Sequence, residues 1–575
     1  MAVDIQRRAL PGEVDLSGFS PLLQRLYGAR GVDSVDQLQR TLQQLQGFEG
    51  LKGIDVAAQV LADVVQAGES VLVVGDFDAD GATSTALAVL ALRGLGAQAV
   101  DYLVPNRFEY GYGLSPELVV EAQKLNPSLI LTVDNGISSV EGVAEANRRG
   151  IRVVVTDHHL AGDQLPAAAA IVNPNQPGCE SITKNSAGVG VVFYVLCALR
   201  AELARRGWFD GQRLQPNLAE YLDIVALGTV ADVVALDHNN RILVHQGVQR
   251  IRAGVCRPGI RALLEIARRE LSNVCASDLG FAAAPRLNAA GRLDDMSLGI
   301  ECLLCDDPLQ AQQLAQQLDA LNRERRDIEA GMQEQALQIL SATELDASGA
   351  LPNALCLFDP EWHQGVIGIL ASRIKERVHR PVVAFADGGD GFLKGSARSI
   401  AGFHMRDALE RVATLNPGMI PKFGGHAMAA GLTLPAEHYD GFVASFQALA
   451  NDWLGAEQLQ ARLLSDGELG SAEFSLEVAT ELRDAGPWGQ GFPEPRFDGE
   501  FEILGQKLVA DKHLKLVLAL PDSGVCVDAI AFNVDLECWP DPQVTRVQLL
   551  FKLDINHFRG RQSVQLMVEH LAPAG

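Results

Sequence analysis

Lysine is scarce: only ten of the 48 basic residues are lysine, and 72 acidic residues leave the chain with a formal net charge of −24. So acidic a protein cannot attract a phosphate backbone by being basic all over, and any contact with nucleic acid has to come from local patches. Those patches would be mostly arginine, which grips phosphate oxygens bidentately. Cysteine is sparse too, nine scattered residues in 575, which argues against a disulfide framework and for a reducing compartment. The one close pair, Cys302 and Cys305, lacks the further ligands a zinc site needs and reads as one face of a buried helix. Long apolar runs are missing. The longest, from Ala187 to Leu199, falls short of the roughly 20 residues needed to span a bilayer. The opening MAVDIQRRALPG has no apolar signal core. A cytoplasmic protein with no membrane partner is expected.

The length suits three or four domains, at roughly 100–200 residues each. Residues 1 to about 50 read as short helices with polar faces and no chemical signal. From Ser70 onward VLVVGD, YLVP, LILTVDN and RVVVTDHH are short runs rich in Val, Ile and Leu, each followed by a helix-length segment. Strands apolar on both faces predict a parallel sheet covered by helices, with ligands beyond the strands' carboxyl ends. The stretch from Ala187 to Ala267 reads as mostly helical. From Asp306 to about Leu340 the pattern predicts one long helix, with Leu314, Leu318, Leu321, Ile328 and Met332 as its apolar stripe and Arg325 breaking the seam. It would connect to a second α/β unit, with ALCLF and VVAFA as strands, that ends near Trp453. From Glu468 the segments HLKLVLAL, VCVDAIAF, VQLLFKLDI and SVQLMVEHL predict a small barrel of the OB type.

Chemistry concentrates where those first strands end. GDFDADG places Asp76, Asp78 and Asp80 within five residues between a strand and a helix. One aspartate there would be a helix cap, but three at alternate positions repel one another unless cations offset them. The next strand ends in TVDNG with Asp134, and the following one in TDHH with Asp157, His158 and His159. Asp232, in GTVADVV, is placed to close the same site from a helical stretch. An oxygen-rich set with some imidazole and no sulfur suits Mn2+ or Mg2+. Two such ions can activate a water and stabilise a leaving oxygen, which is metal-assisted phosphodiester hydrolysis.

With GDFDADG, VDNG, DHH, GTVADVV, PRLNAAGRL and FGGHAMAAG on the page, the chain resembles the DHH phosphoesterase superfamily, and within it the RecJ single-strand-specific exonucleases, over nearly its whole length. The resemblance implies an N-terminal helical segment (1–50), a parallel-sheet α/β DHH catalytic domain (51–305), a connector helix (306–345), an α/β DHHA1 domain (346–455) and an OB-like β-barrel (460–575). It makes Asp78, Asp80, Asp134, His158 and Asp232 the core ligands of two metal ions, with Asp134 bridging them. Asp76 joins the ligand set, and Asp157 and His159 the catalytic one. It implies an exonuclease that degrades single-stranded DNA from the 5′ end to 5′-mononucleotides in DNA repair and recombination. Single-strand-binding protein and a RecQ-type helicase would be its partners, and it would act as a monomer.

Further positions are candidate substrate contacts. By the same resemblance Arg107, Arg292, Ser396 and Arg398 form a pocket for the 5′-terminal phosphate, with Ala397 standing where the family commonly has glycine. Gly424 and Gly425 let backbone approach a ligand, and His426 can donate to a phosphate. Tyr112 would stack on an unpaired base, or be an ordinary loop residue. Arg323, Arg325 and Arg326 read as a solvated helix face or as a wall of a strand channel. Lys552, Arg559 and Arg561 lie on or beside one hairpin of the barrel, and Trp362 and His363 suit core or cleft equally. The competing readings are a DHH phosphodiesterase acting on short oligonucleotides or cyclic dinucleotides, and a scaffold that has lost its metals.

Overall fold

The computed structural model describes residues 4–9, 12, 15–106, 110–211, 213–342, 351–521, 523–536, 538–558 and 560–574. They form two compact units, one of Arg7–Ala320 with Leu464–Gly575 and one of Leu321–Leu463 with Met1–Gln6. No helix among the described residues is long and apolar enough to cross a membrane.

The larger unit is built on strands β1 (Ser70–Val74), β2 (Ala99–Leu103), β3 (Leu129–Val133), β4 (Arg152–Thr156) and β5 (Ala170–Val172). They lie in the order β2-β1-β3-β4-β5 and every neighbouring pair is parallel. All five residues of β3 are buried, as expected of a strand covered on both faces. The strand order reverses between β1 and β3, and such a switch point opens a crevice at the carboxyl ends. Helices α1 (Ala79–Gly94), α2 (Val140–Arg148), α3 (Gly188–Arg205) and α4 (Leu222–Ala231) follow. Thirteen of the 16 residues of α1 are buried, so it is enclosed between the sheet and further helices, not amphipathic at a surface. A later helix, α5 (Ala284–Leu293), is tied to the connector by Arg286, whose Nη2 lies 2.8 Å from Asp319 Oδ1.

The connector, α6 (Pro308–Ala342), is a single helix of 35 residues. Its stripe differs from the predicted one. The buried line is Ala311, Ala315, Leu318, Asn322, Arg325, Glu329, Met332 and Ala336, spaced alternately by four and three, the 3.5-residue repeat of a straight seam. Leu314, Leu321 and Ile328 are only partly covered. Arg325 belongs to the seam and is not on a solvated face: it is buried, 2.6 Å from Glu329 and 3.0 Å from the Asn322 side-chain oxygen. Arg323 and Arg326 are exposed.

The smaller unit carries β6 (Leu355–Phe358), α7 (Ile367–Val378), β7 (Val382–Asp387), β8 (Phe392–Arg398), β9 (Lys422–Gly425) and β10 (Ala429–Pro435). The sheet order is β9-β10-β8-β7-β6, with only β6 and β7 parallel. Trp362 is core, buried with its indole N–H on Gln335 at 2.9 Å.

The C-terminal strands β11 (Phe497–Val509), β12 (His513–Ala519), β13 (Cys526–Ala531), β14 (Arg546–Phe558) and β15 (Arg561–Pro573) close into a barrel in the order β11-β12-β13-β15-β14. The β13–β15 pair is parallel and β11–β14 pairing closes the ring. This barrel shares its unit with the parallel sheet, and the N-terminal segment, read as short helices with polar faces and no chemical signal, joins them. Tyr27, on helix Pro21–Gly28, donates to Ala485 O at 2.9 Å and stacks on Phe492. Arg30 grips Asp466 with two bonds of 2.9 Å, both side chains 1% exposed, and also donates to Pro493 O. Arg40 donates to Gly486 O, and Leu236 N–H to Gln490 O.

Breaking a buried, hydrogen-bonded ion pair strands the remaining charge at a cost of about 3–5 kcal/mol. Arg30→Ala is therefore expected to lower the stability of the larger unit by that amount in urea unfolding. A loss below about 1 kcal/mol, the worth of a solvated pair, would show that the joint does not hold the barrel.

Candidate metal centre

The switch point presents its side chains through backbone constraints. After β1 the chain crosses into α1, where Asp78 is the N-cap, its Oδ1 accepting Gly81 N–H at 2.9 Å. Two residues on, buried Asp80 accepts Gly188 N–H at 2.6 Å and Val189 N–H at 3.0 Å, capping the first turn of α3. A Cβ on Gly188 would lie 2.5 Å from Asp134 Oδ1, so only glycine lets α3 start this close. Beyond β3, Asp134 takes a left-handed φ of +62°, uncommon outside glycine but tolerated by aspartate. Its neighbour Asn135 donates to Val74 O at 3.0 Å and Val133 O at 2.9 Å, stapling the ends of β1 and β3.

From β4 come Asp157, His158 and His159. Asp157 is fully buried and its acceptors are in use: Oδ1 takes the backbone N–H groups of His158 and His159 and lies 2.7 Å from His159 Nδ1, while Oδ2 takes Ile137 N–H at 2.9 Å. His158 Nε2 lies 3.1 Å from Asp134 Oδ1 and 3.5 Å from Asp232 Oδ2. Asp232 is the C-cap of α4. Three groups of side chains then offer ligand atoms within 4.8 Å of one another: Asp76, Asp78 and Asp134; Asp134, His158 and His159; and Asp80, His158 and Asp232.

The electrostatics of this cluster call for a cation. Burial, then the neighbouring carboxylates, push Asp134 and Asp232 well above the ordinary aspartate range. Burial and Asp78 raise Asp80 to about 7 against the pull of its two backbone donors. Among the described residues no hydrogen bond reaches the buried Asp134 Oδ1 and Asp232 Oδ2. A divalent ion would neutralise the crowd and occupy those oxygens, and the donor set of carboxylates and imidazole suits Mn2+ or Mg2+. Burial disfavours a charged His159, but the bond to Asp157 and the charges of Asp157, Asp232 and Asp76 together raise it to about 9. Burial works against a charged Asp157 too, yet its bond to His159, the histidine's charge and the backbone N–H groups of Ile137 and His159 together lower it.

Several expectations change. Asp157 belongs to none of the three ligand groups; with its oxygens committed, its place is to orient His159 and hold the loop after β3. Tyr112 is half exposed, but its hydroxyl lies 3.0 Å from His159 Nδ1 and 3.2 Å from Asp134 O, so it fixes the histidine. Arg107 lies outside the described residues. Arg292 sits in the last turn of α5. On the same helix Asn288, overlooked in the sequence, accepts Ala79 N–H at 2.9 Å and holds the GDFDADG loop from above; its motif was visible, its role was not. Lys552 is bound between Glu494 and Glu569, which occupies it away from phosphate, and Arg559 lies outside the described residues.

In the smaller unit β8 carries Ser396 and Arg398 on one face. Gly431 pairs opposite Ser396 and Gly424 opposite Gly431, while Gly425 ends β9 and His426 follows it. Arg398 donates to Ser396 Oγ at 3.2 Å and to Ala397 O at 2.8 Å. A Cβ on Gly368, in the first turn of α7, would lie 2.9 Å from both Ser396 Oγ and Arg398 Nη2. Serine, arginine and a helix N-terminus thus converge, chemistry that suits an anion; the place of Gly368 there went unforeseen. Ala397 points its methyl into the hydrophobic core, so the departure from glycine leaves that face clear.

Comparisons place these features in a known setting. The DHH family N-terminal domain matches residues 70–229, the DHHA1 domain residues 351–453 and the RecJ OB domain residues 465–570. The chain is 58% identical over 569 residues to the single-stranded-DNA-specific exonuclease RecJ of Dickeya dadantii and 56% identical over 573 residues to that of Escherichia coli, with 99% of each chain covered in both. The RecJ crystal structure from Thermus thermophilus in complex with Mn2+ superposes with a TM-score of 0.81 at 30% identity, covering all of this chain and 80% of that one. A crystal structure of the same protein in complex with Mg2+ superposes with a TM-score of 0.76.

A carboxylate that holds its proton more tightly when folded contributes stability that is complete below about pH 4 and is lost as pH rises through about 7 in the case of Asp80. In EDTA the protein is therefore expected to lose stability across that window. Asp134→Asn, which keeps a side chain tolerant of positive φ, flattens the loss and raises the melting temperature at neutral pH. Asp80→Ala removes the group that titrates in this window and is expected to flatten the loss as well, while giving up a cap worth about 1 kcal/mol. An unchanged pH dependence of melting in both variants would contradict this account.

Proposed function

Because the chain belongs to the RecJ family of single-stranded-DNA-specific exonucleases, we propose that it degrades single-stranded DNA from the 5′ end, releasing 5′-mononucleotides, in DNA repair and recombination. The observation that carries this reading is the interlocking of three ligand groups through Asp134 and His158 at the switch point of the sheet. In this reading Asp78, Asp80, Asp134, His158 and Asp232, with Asp76 beside them, would hold two divalent ions, Mn2+ or Mg2+, and Asp134 belongs to two of the three ligand groups. Such ions supply an activated water and charge stabilisation for in-line displacement at phosphorus.

The remaining steps belong to the protein's own groups. His159, oriented by Asp157 and Tyr112, donates to the scissile phosphate and offsets its developing charge. Asn288 and Asn135 hold the loops that carry the carboxylates. Ser396, Arg398 and the first turn of α7, with Gly424, Gly425 and His426 on the neighbouring strand and turn, bind the 5′-terminal phosphate. In the larger unit Arg292 and Arg107 are phosphate contacts for the strand. The barrel adds contacts to the strand remote from the chemistry. Single-strand-binding protein and a RecQ-type helicase would present the substrate, and the protein would act as a cytoplasmic monomer.

The test incubates the protein with Mn2+ or Mg2+ and with single- and double-stranded oligonucleotides labelled at either end. Mononucleotides should appear first from the 5′ end of the single strand, blunt duplex should persist, and activity should fall as salt screens the phosphate contacts. Arg398→Ala should shrink the preference for a 5′-phosphorylated end by about 10- to 100-fold, the worth of a charged hydrogen bond, with metal content unchanged. Cleavage of cyclic dinucleotides without action on long strands would transfer the protein to the small-substrate branch of the superfamily.

A further inference from the structure

The segment from Ala276 to Leu293 is helical throughout but is interrupted by a π-turn at Leu279–Ala283. Such turns insert an extra residue into a helix and occur often at functional sites. Between Phe281 and Arg292 every residue is buried except Pro285 and Asn288, which are partly covered like Arg292 itself, and Phe281, which is exposed. The spacing of four, three and four makes Phe281, Pro285, Asn288 and Arg292 one open line on an otherwise enclosed helix. Asn288 anchors the middle of that line to Ala79 N–H, between Asp78 and Asp80, so the open face borders the metal centre. At the other end a Cβ on Gly280 would lie 3.2 Å from Val230 Cγ1, two residues before Asp232.

Two apolar side chains are left in water at this junction. Phe281 is 79% exposed, the most exposed phenylalanine among the described residues, and Val233 is 64% exposed. Val233 also holds a φ of +61°, a genuine outlier for a β-branched residue, and strain of this kind collects at ligand sites. An exposed phenylalanine alone is ordinary. Here it stands on the open face that borders the metal loop, on a helix that meets α4 at Val230, and α4 ends in a candidate ligand followed by a strained, exposed valine.

We propose that Phe281 is a stacking platform for one unpaired base of the strand, at the opposite end of the same helix face from Arg292. This rests on the nuclease reading and adds to it a specificity-determining residue. Eleven residues at about 1.5 Å each separate the two ends by about 16 Å, the reach of a short stretch of strand. Every base offers a π-face, so the platform is indifferent to sequence, whereas bases stacked within a duplex have their faces covered.

The test measures equilibrium binding in EDTA, by fluorescence anisotropy, of an oligodeoxythymidylate and of an abasic strand of the same length to the full-length protein and to Phe281→Ala, Phe281→Leu and Phe281→Tyr. Phe281→Ala should weaken binding of oligodeoxythymidylate about tenfold, the loss of one base–aromatic stack, and leave the abasic strand unchanged. Phe281→Tyr should restore the parental value and Phe281→Leu should not. Equal losses on both strands, an unchanged Kd in Phe281→Ala, or full rescue by leucine would each overturn the proposal. Turnover is not needed for this readout, so a parent protein that binds but does not degrade the strand would count against the nuclease reading alone.

Discussion

Mutual repulsion among buried carboxylates is the constraint around which the larger unit is organised. Asp76, Asp78, Asp80, Asp134 and Asp232 converge where β1 and β3 end and α4 stops. Left alone they would protonate or push apart. The surrounding fold prevents the second outcome by committing backbone groups: Asp80 to the first turn of α3, Asp78 to α1, and Asn135 to the strand ends on both sides of the switch point. The geometry is thereby held ready for divalent cations, with stability given up locally to keep it.

The same logic assigns the histidines. Only one member of Asp157-His158-His159 faces inward as an acid, and its oxygens are spent on its own neighbours. Asp157 therefore acts on position. It sets the direction of His159, whose ring also meets Tyr112 and His158, while His158 lies close to Asp134 and Asp232. A string of three polar residues thus separates into a buried brace, Asp157, and two imidazoles that stand together beside Asp134.

Polar contacts also connect the more distant parts. Arg30 and Asp466 tie the N-terminal segment to the approach to the barrel, and Arg286 and Asp319 tie α5 to the start of the connector. Within the connector Asn322, Arg325 and Glu329 continue a seam that alanine and leucine begin. Buried ion pairs add little to net stability but penalise any packing that separates them. They suit joints whose alignment matters more than their strength.

The amino-acid sequence by itself determined the class of fold and the chemistry. Runs of Val, Ile and Leu ending in aspartate require a covered parallel sheet, and the topology of such a sheet delivers those ends to one place. Alternating short strands near the C-terminus sufficed for a barrel. Three things were decided only in three dimensions. The connector's seam was hidden because alanine and paired polar residues bury as well as leucine once a partner surface exists, and Arg325 changed sides for that reason. The roles within the site were hidden because a carboxylate is ligand or brace according to which N–H groups reach it, as Asp157 shows. Asn288, Gly368 and Phe281 were hidden because their meaning lies in neighbours far along the chain or, for Phe281, in the lack of cover that only a folded surface reveals.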